Sequence, residues 1–286
     1  MTALNNYYYL TKPGIIYGNI LTAIGGFLLA SKGHVNLALL CFTLLGTSLV
    51  IGSACVINNY IDRDIDKKMS RTKKRALVSG VITPRQSIIF GSVLGILGLT
   101  VLALYTNWLV VLIGVAAFVI YVVLYGVSKR KSVHGTLIGS LAGAAAIIGG
   151  YCAVTGNFDG TAALLFVIMA VWQMPHFYAI AIYRFDDYKA AGLPVLPVAK
   201  GLRQTKIQML VYTIIFMISV LLMRYLGYAG YSFFVVMTIL SLGWIYLSLR
   251  GFQLKDSKKW ARQMFLYSLI VLLVFSVMLS INNLLF

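Results

Sequence analysis

The sequence predicts an all-α polytopic membrane protein: nine transmembrane helices in one bundle around a central cavity, with the N-terminus cytoplasmic. Three observations predict it. Only 11% of the 286 residues are charged and 60% are hydrophobic, where a soluble domain carries roughly 25% charged residues. Nine apolar runs can be laid along the chain, each close to the ~20 residues a helix needs to cross a bilayer. The basic residues gather almost entirely on one side of those runs.

The first run, 14–31, starts beyond Pro13 and lacks a small-residue cleavage pattern ahead of a polar mature chain, so a retained N-terminus is expected. The second, 37–57, leads into the acid-rich segment NNYIDRDID at 58–66. The third and fourth, 86–105 and 108–128, and the fifth, 135–155, leave only short connections. The sixth, 161–182, holds WQMPHF and leads into a second acidic segment. Runs at 206–224, 229–249 and 264–284 complete the count. Nine spans use most of the chain, so 1–286 reads as a single intramembrane domain. Cys41, Cys55 and Cys152 lie within or at the ends of spans without metal or redox spacing and read as small buried apolar residues.

Of 24 Lys and Arg, 22 lie on one set of span ends, and only Lys32 and Arg224 lie on the other. The positive-inside rule then places the N-terminus in the cytoplasm and the C-terminus outside. The net charge of +17 follows from that topology and from anionic lipid, without nucleic acid.

The chain has no glutamate and seven aspartates, of which Asp62, Asp64, Asp66, Asp186 and Asp187 form two short clusters. At about 100° per residue, Asn58, Asp62 and Asp66 share one stripe of a helix continuing out of the second span, and Asp64 points away. Oxygen ligands in such a stripe suit Mg²⁺, which takes one or two carboxylates and completes its shell with water and substrate phosphate. The alternative is a polar helix cap, with Asp62 and Asp66 paired to Arg63, Lys67 or Arg75. The second cluster, YRFDDYKAAGLPVLPVAKG at 183–201, follows the sixth span on the same side and favours the metal reading. No GxxxxGK[ST] or HExxH pattern occurs, which removes most support for ATP-driven transport and zinc proteolysis. A secondary transporter would hold its acids near the bilayer midplane; these lie at the mouth, among cations. The two acidic loops suggest a loose duplication of a four-helix unit.

Together, N58-x3-D62-x3-D66 continuing into KKMSRTKKRAL (67–77), WQMPHFYAIA (172–181) and DYKAAGLPVLPVAKG (187–201) resemble the UbiA-type intramembrane prenyltransferases, in particular the branch that farnesylates heme. The resemblance covers nearly the whole chain. It implies a prenyltransferase that joins the farnesyl group of farnesyl diphosphate to a vinyl group of heme b, giving heme O and diphosphate. It further implies that Asn58, Asp62, Asp66 and Asp187 are catalytic, with Asp62, Asp66 and Asp187 holding Mg²⁺. Arg71, Arg75, Lys129 and Arg130 are the candidates for the diphosphate, or else ordinary loop cations. Tyr121, Tyr125, Trp172, Phe177 and Tyr178 are candidate walls for an allylic cation, or plain packing. His176, after Pro175 in the sixth span, is the candidate for heme, or a bridge to a neighbouring helix. Membrane lipid is an expected partner, with heme A synthase or terminal oxidase assembly as further candidates. The expected place is the cell inner membrane, the site facing the cytoplasm. Acceptors such as a quinone precursor would use the same acids. The chain departs from the pattern at AAAII (144–148), where relatives commonly have a proline pair, so a kink there is either missing or supplied by nearby glycines. Asp186 and Val195 are further departures.

Overall fold

The computed structural model describes residues 2–282 and is helical apart from short connections and one longer non-helical segment, 67–83. A short helix α1 (Ala3–Leu10) precedes α2 (Pro13–Ser31) and α3 (Leu37–Ile61), and a single turn α4 (Arg63–Asp66) follows. Then come α5 (Pro84–Tyr105) and α6 (Trp108–Val119), which passes through a π-helical stretch, Ile120–Tyr125, into α7 (Gly126–Lys131). The fifth span is α8 (Gly135–Gly143) plus α9 (Ala145–Thr155), and α10 (Gly160–Tyr183) leads to the short α11 (Phe185–Ala190). The chain closes with α12 (Leu196–Tyr225), α13 (Tyr231–Arg250) and α14 (Ser257–Ile281). Among the described residues nine spans are long and apolar enough to cross a membrane. The end of the expected ninth span, 283–284, lies outside the described residues.

Helix starts follow local chemistry. A bilayer offers no water to the first amide groups of a helix, so side chains must meet them. Asn36 accepts from Leu39 N at 3.0 Å, Asn107 from Val110 N at 3.2 Å and Asp159 from Ala162 N at 3.0 Å. At α5, Thr83 and Gln86 form a reciprocal capping box ahead of Pro84. The seventh span, α12, begins earlier than the hydropathy implied because Leu196-Pro197 starts a turn ahead of a break at Gly201, whose φ of 82° suits glycine.

Hydrophobicity alone cannot draw helices together in lipid, so close approach of backbones and interhelical hydrogen bonds must do so. The α2 and α9 backbones touch through glycines: a Cβ at Gly26 would collide with the Ile147 carbonyl, and one at Gly150 with that of Ala23. Ser53 Oγ ties α3 to α5 by donating to the Gly91 carbonyl at 2.6 Å.

The fifth span is broken without a proline. Its two helices meet at Ala144, and Gln173 of α10 donates to the Ser140 carbonyl at 3.0 Å. Gly143 leaves the room: a Cβ there would overlap the Gln173 amide. Small residues and an inserted amide thus supply the interruption. Gly143→Ala is accordingly expected to destabilise the detergent-solubilised protein by about 1–3 kcal/mol through overpacking, seen as a lower melting temperature. The double variant with Gln173→Ala should recover part of the loss; no loss in the single variant would contradict this account.

Candidate active site

The functional residues collect at one end of the bundle, where α3 leaves the span. The helix does not continue smoothly through the acidic segment as the periodicity suggested. It ends at Ile61, Asp62 takes φ −89° and ψ 2°, and α4 is a separate turn. The spacing nevertheless survives, because Asp62 N donates to the Asn58 carbonyl at 2.9 Å and Asp66 N to that of Asp62 at 2.8 Å. A bend that keeps these bonds keeps the i, i+4 neighbours together.

Each acid of the stripe faces a cation. Arg75 Nη1 bonds Asp66 Oδ2 at 2.6 Å and Asn59 Oδ1 at 3.0 Å. Lys129 Nζ binds Asp62 Oδ2, reaching across from α7. Asp64, as expected, points elsewhere; it is exposed and takes a two-pronged bond from Arg130 at 2.8 Å on each oxygen. That guanidinium holds the Asp64 carboxyl down to about 2. Arg130 also donates to the Ile61 carbonyl at 2.6 Å and comes only to 3.6 Å from Asp62. Its fork is occupied in clamping the α3–α4 turn, so of the four candidate phosphate cations it is the least open.

Three residues of this site escaped the sequence reading. Lys12, between α1 and α2, donates to Asn58 Oδ1 at 2.9 Å. Burial pushes its ammonium down to about 8, and its backbone adopts φ 55°, a left-handed conformation disfavoured for a residue with a side chain. Asn59 orients Arg75 and also donates to the Leu10 carbonyl at 2.8 Å. Ser70 receives Asp187: its backbone N–H and hydroxyl donate to Asp187 Oδ1 at 2.9 and 2.6 Å, and the hydroxyl bond lowers the Asp187 pKa. The adjacency of Lys12 to Pro13 was the only sequence signal for the first, and nothing local signalled the other two.

The two acidic segments do meet, through Ser70 and not through a shared cluster of carboxylates. Among the described residues no group of three or more His, Cys, Asp or Glu is placed to hold a metal, so Asp62, Asp66 and Asp187 are not drawn into one ligand set. Asp186 is exposed and pairs with Lys258 of α14 at 2.6 Å. Arg71 and Arg75 line a cavity of about 230 Å³ with Asn6, Tyr9, Asn59 and Lys74.

The fit of a hard cation rests on two buried polar atoms without hydrogen-bond partners, Asp62 Oδ1 and Asn58 Nδ2. A buried acceptor with no donor suits a metal ion, and a buried amide N–H with no acceptor suits an anionic oxygen. They lie one turn apart. Asp62 and Asp66 offer the one or two carboxylates that Mg²⁺ uses when phosphate and water complete its shell.

The aromatic candidates divide into two groups. Tyr121 and Tyr125 stack at 5.4 Å on the π-helical stretch, and the Lys129 ammonium lies 4.9 Å from the Tyr125 ring, so both tyrosines adjoin the acid stripe. Trp172 and Phe177 instead surround His176, at 4.8 and 5.3 Å, with Phe265 of α14 at 5.0 Å. Tyr178 faces Tyr212. Helix α10 runs unbroken through Pro175. His176 Nδ1 lies 2.7 Å from Ser268 Oγ, and that hydroxyl donates to the Phe265 carbonyl at 2.6 Å. Since its proton is engaged, Ser268 accepts from His176 Nδ1–H, which leaves Nε2 as the unprotonated nitrogen of the neutral ring.

Among the described residues, a nine-span bundle with paired acids and cations at one mouth defines a membrane protein with a charged site at the end of its helices. The chain belongs to the UbiA prenyltransferase family, whose profile matches residues 19–270. It is 52% identical over 277 residues to the protoheme IX farnesyltransferase of Klebsiella pneumoniae subsp. pneumoniae, covering 96% of this chain and 94% of that one. It is also 52% identical over 280 residues to the protoheme IX farnesyltransferase of Yersinia pseudotuberculosis serotype O:1b, covering 98% and 95%. Its fold is shared with a digeranylgeranylglyceryl phosphate synthase at TM-score 0.80 and 20% identity, over 99% of both chains. A UbiA homolog from Archaeoglobus fulgidus bound to GPP and Mg²⁺ matches at TM-score 0.72 and 16% identity, over 96% of this chain and 99% of that one.

Proposed function

We propose that this prenyltransferase joins the farnesyl group of farnesyl diphosphate to the terminal carbon of a vinyl group of heme b, with water adding its hydroxyl to the other vinyl carbon and releasing a proton, so that heme O carries a hydroxyethylfarnesyl side chain and diphosphate leaves. The reaction would take place at the cytoplasmic face of the cell inner membrane. The observation that carries the donor half is the pair of unmet atoms, Asp62 Oδ1 and Asn58 Nδ2, one turn apart among Lys12, Arg75 and Lys129. The acceptor half is supported by the full-length relatives named protoheme IX farnesyltransferase.

In this reading Asp62 and Asp66 would hold Mg²⁺ from one segment, and Asp187 would offer its carboxylate to a metal carrying the diphosphate from the other. The metal, when bound, neutralises charge that builds on the departing diphosphate. Lys12, Lys129, Arg71 and Arg75 add positive charge from the protein, and the arginines can grip two oxygens at once. Asn58 donates from Nδ2. Cleavage of the allylic carbon to oxygen bond leaves positive charge on carbon, next to which Tyr121 and Tyr125 present ring faces away from bulk water. The decisive test is to incubate purified protein with heme b, farnesyl diphosphate and Mg²⁺ and weigh the extracted heme by mass spectrometry. Heme of unchanged mass across lipid and detergent conditions would defeat the assignment.

His176 is assigned to the acceptor, with Nε2 as the available ligand for heme iron. His176→Ala is expected to weaken heme binding about tenfold or more, roughly 1.4 kcal/mol, with a changed Soret band, while prenyl diphosphate binding persists. Identical heme spectra and affinity in the variant would remove His176 from the heme site.

A further inference from the structure

At the basic end of the bundle, α1 and the segment 67–83 enclose the cavity of about 230 Å³ that Arg71 and Arg75 line. Lys74, Asn6 and Tyr9 line it as well, and none of its lining residues is acidic. Helix α1 is held there by the Asn59 bond to the Leu10 carbonyl and by Tyr7, whose ring meets Phe90 edge-on at 5.0 Å. Asn59 lies ~100° round α3 from Asn58, so the cavity and the acid stripe occupy different flanks of that helix. Arg75 is the wall between them: its Nη1 bonds Asp66 and Asn59, and the same side chain lines the cavity.

Cations that converge on one cavity repel one another, and an anion among them turns that repulsion into attraction. Among the described residues neither Arg71 nor Lys74 forms an ion pair, and Arg75 alone of the three has a carboxylate partner. A phosphate group suits such a set, because arginine gives it two parallel N–H bonds and lysine a compact positive charge. Asn6 and Tyr9 bring an amide and a hydroxyl, from which a phosphate oxygen also accepts.

The cavity reaches the surface where lipid headgroups lie. Tyr9, Arg71 and Lys74 are exposed, and α1 also exposes Leu4 and Tyr8, a mix of apolar and aromatic side chains suited to a membrane–water boundary. The Tyr8 hydroxyl is hydrogen-bonded to that of Tyr17, in the first turns of α2, which keeps α1 beside the point where the first span begins. We propose that this cavity is a phosphate site separate from the acid stripe, and that it takes the headgroup of an anionic phospholipid. Basic pockets at the cytoplasmic ends of spans bind such headgroups, and the cytoplasmic orientation is the one proposed above. Free diphosphate presents the same oxygens, so the two sources are separated by experiment.

The test measures binding of phosphatidylglycerol and of phosphatidylcholine to delipidated protein in neutral detergent, by native mass spectrometry, without Mg²⁺ or prenyl donor. Phosphatidylglycerol is expected to bind on the order of tenfold more tightly than phosphatidylcholine. Lys74→Gln should weaken phosphatidylglycerol binding about fivefold, the scale of one basic residue at an anionic headgroup, and leave phosphatidylcholine unchanged. Lys73 supplies the control, being exposed, adjacent and outside the lining: Lys73→Gln removes the same charge and should alter binding by less than about twofold. Equal weakening by the two variants would trace the lipid to general surface charge and overturn the site, as would equal binding of the two lipids by the unaltered protein. In a second arm inorganic diphosphate is added to the lipid-bound protein. Retention of phosphatidylglycerol is the expected result; its displacement would assign the cavity to the free ion and overturn the headgroup.

Discussion

Asp62→Asn and Asp66→Asn are each expected to lower turnover by about 10³-fold or more, roughly 4 kcal/mol of transition-state stabilisation, while the protein remains folded and inserted. The amide keeps the shape of the side chain and removes its charge, so packing is retained and the metal site is lost. Asn is a better probe than Ala here, because Asp66 is buried against Arg75 and an alanine would leave that guanidinium short of a partner. The comparison with Asp64→Asn gives the result its force. Asp64 is exposed and faces Arg130, away from the stripe, so its loss should lower turnover by about tenfold at most, through loosening of the turn. Turnover measured with all three variants, alongside size-exclusion profiles, checks the set. If Asp64→Asn were the most damaging of the three, the arrangement of the site given above would be wrong.

Removal of divalent metal should abolish transfer, with under ~1% of turnover remaining in chelator and recovery on adding Mg²⁺. The structure gives the reason. Asp62 Oδ1 accepts no hydrogen bond; Arg130 stands 3.6 Å from it with its fork on Asp64, and Lys129 and Arg75 are tied to Asp62 Oδ2 and Asp66. Those cations do not substitute for an ion placed between the stripe and a diphosphate. Ca²⁺ should restore little, since it prefers more ligands at longer distances than one or two carboxylates with phosphate provide. Binding of farnesyl diphosphate should weaken in parallel. Undiminished turnover in a verified metal-free preparation would eliminate the mechanism.

Much of the site was legible because helix periodicity is local. Asn58, Asp62 and Asp66 could be grouped from spacing alone, and the grouping holds even though the helix breaks at Asp62, because the backbone bonds span the break. Proximity offered Arg63, Lys67 and Arg75 alike to Asp62 and Asp66, and the fold selects Arg75 for Asp66. The role of Arg130 could not, since its bonds to Asp64 and the Ile61 carbonyl depend on how α7 meets α4. Lys12 likewise read as one more topological charge until the fold brought it to Asn58.

The broken fifth span marks the same boundary. Its apolar length announced a span, and the missing proline pair left the interruption undecided. A glutamine from α10, inserted where Gly143 leaves space, accounts for the break, and no property of residues 144–148 points to Gln173.

The sequence by itself determined the class of this protein: helical spans, basic loops on one side, and an acidic stripe suited to a hard cation. These follow from hydropathy, charge and a 3.6-residue period, all properties of neighbouring residues. Only the tertiary structure decided which cation faces which carboxylate, that Asp187 docks on Ser70 and that Ser268 meets His176 Nδ1. Those outcomes depend on contacts between residues as far apart as Ser70 and Asp187, which arise when helices approach closely enough in lipid for each buried polar group to find its partner or remain without one.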